Sequence, residues 1–530
     1  MTPNFDCRRV KKHGYTIKEV VGRGASGIVF LVNNEEKDQF VVKQLNSRDR
    51  KELATVKKEI EILKKMIHGY IVSYVDSFED KQSGLFYIVM EYCAGGDLFK
   101  KMQTQKDNGF FEEQQILDWF VQICLALQYI HENNVLHRDI RPQNVFLTED
   151  GYINLGDFGC SKILERGDAP TTDSAYASLY LSPEVYQKKY NSKSDIWSLG
   201  WLLHDLCMLD VWSNSIKRCC EHAYSMKGTL PRISKRYSKN LQELIRQMLS
   251  CDPKDRPSAD EILAKPFLED AVKRNKRIPE ALEQRLIESV STFDEAYNKH
   301  YTEFENLVSQ WGKTADLLEA VHYSITSASL AGSVITAIVG AILSTSIFAS
   351  LTGVGVSVAG GATGAATNIA DSVKQKQLYE RLEQFKPYIE NGRELTLCLL
   401  TVRKLIGKIF KFHNFACTST LDNLSLSWEI SKSTVVSIGR AAAVSGVLGG
   451  LSVIADAAFI AKDSQEIHQM RNQWKTDDPI KVSSSVLKAI VEIRNIHKDL
   501  LSVLEEINKT RKLLDEKKNK KREREKSVQG

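Results

Sequence analysis

"HRDIRPQN" (137–144) sets an acid, Asp139, two residues before a cation, Arg141, and five before an amide, Asn144. Thirteen residues beyond that amide, "LGDFG" (155–159) supplies a second carboxylate, Asp157. Phosphoryl transfer asks little covalent chemistry of a protein. It needs a carboxylate to orient the attacking hydroxyl and ligands for a metal that neutralises phosphate charge. Asp139 suits the first role. Asn144 offers one Mg²⁺ a neutral oxygen, and Asp157 offers a charged one.

Upstream, "GRGASG" (22–27) matches GxGxxG through Gly22, Gly24 and Gly27, with Val21 just before it. In a dinucleotide fold a helix follows those glycines, whereas here "IVFLV" is a β-branched strand. A glycine loop between two strands can close over ATP phosphates with its backbone N–H groups while Val29 covers the base. Lys43 in "VVK" lies fourteen residues after Val29, where the next strand but one can aim an ammonium at the α and β phosphates. Glu59, on the helix read from "RKELATVKKEIEILKKM", is the expected partner of Lys43, with Glu52 as the alternative. Leu53, Val56, Ile60 and Leu63 form the apolar face of that helix.

With 530 residues the chain exceeds the size of one growing core, so two or more domains are expected. A net charge of +5 is too small to argue for nucleic acid, and no nucleic-acid partner is expected. The ten cysteines show no CxxC pair and no histidine in zinc-ligand spacing, which reads as reduced thiols in a cytosolic protein. Positive charge near the start has no apolar stretch behind it, so no secretory signal is expected and the protein is placed in the cytoplasm.

After an N-terminal extension (1–14), short β-branched runs and one helix predict a small β-rich lobe over 15–92. A larger helical lobe follows over 93–270, and a charged, proline-containing linker or connecting helix over 271–290. Residues 15–270 resemble a eukaryotic protein kinase of the NIMA-related family, through "YCAGGDLFKKMQTQKDNGFFEEQQILDWFVQICLALQYIHENNVLHRDI", "LGDFG", "LYLSPE" and "KSDIWSLG". The resemblance implies an α+β bilobal fold, serine/threonine kinase activity with ATP and Mg²⁺, and a protein substrate. By it, Met90 guards the nucleotide pocket and backbone of Glu91 and Cys93 meets adenine. Asp195 braces the catalytic loop, Arg256 pairs with Glu184, and Leu63, His137 and Phe158 stack as a spine. Two positions depart from the family pattern. Arg141 stands where lysine is usual and brings a bulkier, forked cation. "YASLY" puts Ala177 where a threonine is expected, with Ser178 one residue away. Thr171, Thr172 and Ser174 are candidate phosphorylation sites, and Arg138 is the expected receiver of that phosphate.

Beyond residue 290 the whole chain reads as helix. No Asp, Glu, Lys or Arg occurs over 320–370, and "SVITAIVGAILSTSIFASL" (333–351) is long enough to cross a bilayer. Its recurring Ser and Thr equally suit a buried helix, so spanning, burial in a bundle and conditional insertion all remain open. "SVAGGATGAATNIADSV" (357–373) and "IGRAAAVSGVLGGLSVIADAAFIAKDSQEIH" (438–468) resemble the apolipoprotein L family. That resemblance implies an all-α lipid- or membrane-associating module over 291–515, acting through 325–370 and 435–461 as an apolar hairpin and a second apolar tract. Helical spacing of Leu500, Leu504 and Ile507 precedes a basic tail at 516–530.

Overall fold

The computed structural model describes residues 7–24, 27–34, 37–46, 50–80, 83–158, 162–163, 177–187, 189–209, 215–327, 388, 390–412, 494–495 and 497–516. The chain divides into two units, one of residues 1–283 with 408–422, the other of 284–407 with 423–530.

The first unit opens with a short helix, α1 (Cys7–Lys11), and a five-stranded antiparallel sheet. Its strands are β1 (Thr16–Gly24), β2 (Gly27–Asn33), β3 (Gln39–Asn46), β4 (Tyr74–Asp80) and β5 (Leu85–Glu91), in the order β1-β2-β3-β5-β4. Alternation in these strands sends Phe30, Val32, Val42, Tyr87 and Val89 to one core. The chain leaves the sheet between β3 and β4 to form α2 (Arg50–Lys65). Val56, Ile60 and Leu63 are buried there at helical spacing, and the charged Glu59 is buried with them.

The larger lobe begins with α3 (Leu98–Lys106), N-capped by Asp97, and α4 (Glu113–Glu132). Trp119, Phe120, Ile123, Leu127 and Ile130 are all buried, so α4 is an interior helix rather than an amphipathic surface one. Short strands β6 (Val135–Leu136), β7 (Val145–Leu147), β8 (Ile153–Leu155) and β9 (Lys162–Ile163) frame the two motifs quoted above. Helix α5 (Ser192–Met208) starts at a capping box made by Asn191 and Ser194, and is followed by α6 (Ser215–Ser225), α7 (Lys239–Met248) and α8 (Ala259–Leu263).

The interval 271–290 is helical on both sides of a short break. Helix α9 (Glu269–Asn275) belongs to the large lobe: Asn275 accepts from Gln122 of α4 at 2.8 Å, and its backbone carbonyl accepts from Tyr70 at 2.8 Å. Helix α10 (Glu280–Ser327) then begins, and the division between units falls inside it.

The second unit is helical wherever it is described. Phe293, Phe304 and Trp311 of α10 share one core with Leu395, Leu399 and Val402 and with Leu500, Val503 and Ile507. The buried Arg403 is neutralised by Glu506 and also bonds Thr510 at 3.3 Å, which lets a cation sit inside an apolar interface. Leu504 packs against this core as its spacing predicts, and Val503, absent from the predicted face, is buried in it. The expected apolar hairpin, the second apolar tract at 435–461 and nearly all of the 516–530 tail lie outside the described residues. Among the described residues, no helix is long and apolar enough to cross a membrane.

Candidate active site

Lys43 on β3 stands directly opposite Val29 on the neighbouring β2. Its ammonium donates to Glu59 Oε1 at 3.0 Å and to Asp157 Oδ1 at 2.8 Å. Burial alone would lower the Lys43 ammonium, but Asp157 and Glu59 outweigh it and raise it above its ordinary value. The lysine is thus held charged and aimed, at a point where strand, helix and the DFG segment meet. Glu59 makes this pair from the buried face of α2, and the side chain of the alternative, Glu52, lies outside those described.

The loop 137–144 is built around Asp195, a fully buried carboxylate near the start of α5. It accepts the backbone N–H groups of His137 at 3.0 Å and Arg138 at 2.9 Å, and the hydroxyl of Tyr190 at 2.7 Å. His131 Nε2 lies 2.9 Å from it. Burial would raise the Asp195 carboxyl, but these donors, His131 foremost, hold it below the usual range. So anchored, the backbone turns through Arg138 at φ 70°, a left-handed conformation. His137 is neutral, burial having lowered it. Its Nε2–H donates to the Gly156 carbonyl at 3.0 Å, which leaves Nδ1 to accept from Asp139 N at 3.4 Å. One imidazole therefore ties the catalytic loop to the residue before Asp157.

Asp139 is positioned from two sides. Asn144 Nδ2 donates to both the Asp139 carbonyl and Oδ2, each at 2.8 Å, and Arg141 Nε lies 3.3 Å from Oδ1. With its amide nitrogen engaged on Asp139, Asn144 has its Oδ1 end left for a cation. Asp157, at φ 56°, is partly exposed. One amide oxygen and one carboxylate fit Mg²⁺, which takes few protein ligands and completes its shell with phosphate and water. No cluster of three or more His, Cys, Asp or Glu suited to a metal occurs among the described residues, and a two-ligand magnesium site requires none. The glycine segment fits phosphate in the same way. Gly24 pairs with Gly27 where β1 meets β2, and Gly27 has φ 130°. A Cβ on Gly27 would come within 2.0 Å of the Gln44 carbonyl, so only glycine lets these strands close. Gly22 and Val29 lie half-buried across the hairpin from one another, and Val21 is exposed.

Supporting residues fall into the same unit. Phe158 is buried and meets the His137 ring edge-on at 5.0 Å, with Leu63 also buried. Arg256 grips Glu184 with two bonds of 2.6 and 2.9 Å, while Ser194 Oγ donates to the same carboxylate at 2.7 Å. Glu91 N donates to the Ser73 carbonyl, so the Glu91 backbone ends β5 in a fixed register. Met90 pairs with Val41 across the sheet, and the Cys93 thiol is buried and pushed up to about 12, which makes it unreactive. Thr171, Thr172 and Ser174 lie outside the described residues, as do the side chains of Ala177 and Ser178. The bracing of Asp195 by His131 and Tyr190 was missed in the sequence, because neither residue belongs to a local motif.

Residues 15–268 match the family model described as the protein kinase domain. Residues 15–268 are a protein kinase domain. The chain is 42% identical over 279 residues to serine/threonine-protein kinase Nek1 of Mus musculus, covering 52% of this chain and 22% of that protein. It is 40% identical over 259 residues to Nek3 of Mus musculus, covering 47% of this chain and 49% of that protein. With Nek5 of Homo sapiens the identity is 39% over 270 residues, covering 49% of this chain and 37% of that protein. The chain thus spans from about a fifth to about half of the length of these curated relatives. The bilobal kinase fold, with its sheet-bearing small lobe and helical large lobe, is the fold described above, and kinases of this kind use ATP with Mg²⁺.

Proposed function

We propose that the chain is an ATP- and Mg²⁺-dependent serine/threonine kinase acting on a protein substrate in the cytoplasm. The observation that carries this reading is the Lys43–Glu59–Asp157 arrangement at 3.0 and 2.8 Å. A lysine aimed by both an α2 carboxylate and the DFG carboxylate is what phosphoryl transfer requires of this fold. Asp139 would orient the substrate hydroxyl and take up its proton, and Arg141 would set positive charge beside the transferred group. Asn144 and Asp157 would hold the metal, and the glycine hairpin with Val21 and Val29 would enclose the nucleotide. Asp139→Asn is expected to abolish phosphate transfer to a generic protein substrate with the melting temperature unchanged. Wild-type turnover in that variant would reject the assignment.

Control by phosphorylation of Thr171, Thr172 or Ser174 is part of the same proposal. Arg138 supports it: the side chain is buried, and its Nε and Nη2 have no hydrogen-bond partner among the described residues. Such a cation is a ready receiver for a phosphate. Alanine at all three positions should lower turnover and remove its sensitivity to phosphatase. Unchanged turnover would sink this part.

The helical second unit, by its uncharged 320–370 run, supports a lipid- or membrane-associating role. A runner-up assigns the principal function to that module, with the kinase domain as a nucleotide-gated scaffold. Charges at Ala341 and Phe348 would then abolish function while Asp139→Asn would not. Liposome flotation with and without Mg-ATP tests both membrane attachment and its dependence on nucleotide. A chain that never floats excludes the lipid role.

A further inference from the structure

The first unit takes in residues 408–422, far along the chain from the rest of it. Lys411 Nζ donates to Glu91 Oε2 at 2.9 Å and also to Ser73 Oγ, and Ser73 donates to the same Glu91 oxygen at 2.7 Å. Lys408 Nζ lies 4.0 Å from the other Glu91 oxygen. Burial would raise the Glu91 carboxyl, but Lys411 and Lys408 overcome this and hold it at about 2. Next in sequence, Phe412 is 5% exposed and meets the Tyr70 ring edge-on at 5.4 Å. It also lies so close to Gly69 that a Cβ there would come within 2.6 Å of the ring. A lysine in a charge-assisted triad and an aromatic ring over a glycine form a matched pair of anchors on one short segment.

Both anchors land on the frame of the active site. Gly69 and Tyr70 lie in the connection that runs from α2, which carries Glu59, to β4. That connection is pinned to the DFG strand, since Leu155 N donates to the Tyr70 carbonyl at 2.9 Å and Val72 N to the Leu155 carbonyl at 3.0 Å. Glu91 ends β5, pairs with Phe40 on the strand that carries Lys43, and precedes Cys93 by two residues. A segment bound to both sites favours whichever arrangement of α2 and β5 offers both at once, by its difference in affinity between arrangements. The arrangement in which it is bound here is the one with Lys43, Glu59 and Asp157 joined.

We propose that residues 408–412 are a built-in docking segment that clamps the α2–β4 connection to the end of β5 and so keeps the catalytic ion pairs assembled. Being tethered, it binds at high effective concentration and needs only these few contacts. Its catalytic consequence rests on the kinase reading, whereas the docking itself does not. The test uses the full chain and compares wild type with Lys411→Gln, Lys411→Glu, Phe412→Ala and the reversed pair Lys411→Glu with Glu91→Lys. Hydrogen exchange over 66–73 and 86–93 is expected to quicken about tenfold in the single variants, the size of one lost charge-assisted bond. Exchange within 192–208 should stay unchanged, which separates undocking from unfolding. Transfer activity, read as kcat/KM for ATP, should fall several-fold in step in the variants of Lys411 and Phe412, and the reversed pair, read by exchange alone because Glu91 borders the nucleotide pocket, should recover protection over 66–73 and 86–93. Wild-type exchange in Lys411→Gln and Phe412→Ala would overturn the docking. Faster exchange with unchanged or higher activity would overturn its activating sense. If wild type transfers no phosphate, the kinase reading fails, and exchange alone still decides whether the segment docks.

Discussion

Arg141 Nε and Asp139 Oδ1 sit 3.3 Å apart, and their separation bears on how the domain tolerates arginine where the sequence resemblance implies lysine. The guanidinium engages Asp139 through Nε, leaving the fork of the side chain to spread charge rather than point it. Arg141→Ala is expected to lower kcat by about 10²-fold with a smaller change in KM for ATP, as removal of a transition-state charge does. Arg141→Lys should equal or exceed wild type, because a single ammonium can reach the transferred group without the wider fork. Steady-state kinetics on the two variants check both. Gly27 shows the other kind of constraint at this scale, a position where any side chain would meet the Gln44 carbonyl. That Gly27 belongs to a glycine pattern was legible from GxGxxG; the close approach that requires glycine there was not, since it depends on where β3 runs.

Helices and loops set the pH response of the domain. His222 on α6 is buried and donates to the Leu181 carbonyl at 3.0 Å; burial lowers it to about 4. His68, in the connection after α2, is lowered by burial to about 3. Both are neutral in the fold and ordinary in the unfolded chain, so below about pH 6.5 the unfolded state binds more protons and stability falls with pH. Their stabilisation is complete above that value and is lost progressively toward pH 4. For His222 the loss is on the order of 3 kcal/mol. His222→Gln, which keeps a donor for Leu181, should flatten the urea midpoint of the domain between pH 6.5 and 4. An unaltered slope would show that His222 is not one of the groups responsible. Element positions were largely readable in the sequence, because β-branched runs and 3.6-residue spacing are local. The burial of these two histidines was not, since it follows from which helices cover them.

At the scale of the whole molecule, the described residues include one buried cluster in the sheet of the kinase domain around Val42 and another in the helical unit around Phe304. Mg-ATP at a hundred times its dissociation constant should stabilise the kinase domain by about 2.7 kcal/mol. Phe304→Ala should cost the helical unit about 3–5 kcal/mol. Calorimetry is expected to show the first change on one transition and the second on another; both changes on a single transition would mean that the units melt together. By itself the sequence determined which residues are candidates for the chemistry: Asp139, Asn144, Asp157 and Lys43 lie in short strings whose spacing follows local backbone geometry, and resemblance extended them to Glu184 and Arg256. It also determined the long uncharged run, which composition alone reveals. Only the tertiary structure decided which acid meets Lys43, what braces Asp195, and that Lys411 reaches Glu91 across 320 positions. Such pairings depend on which faces the folded chain brings together, and no local period in the sequence records that.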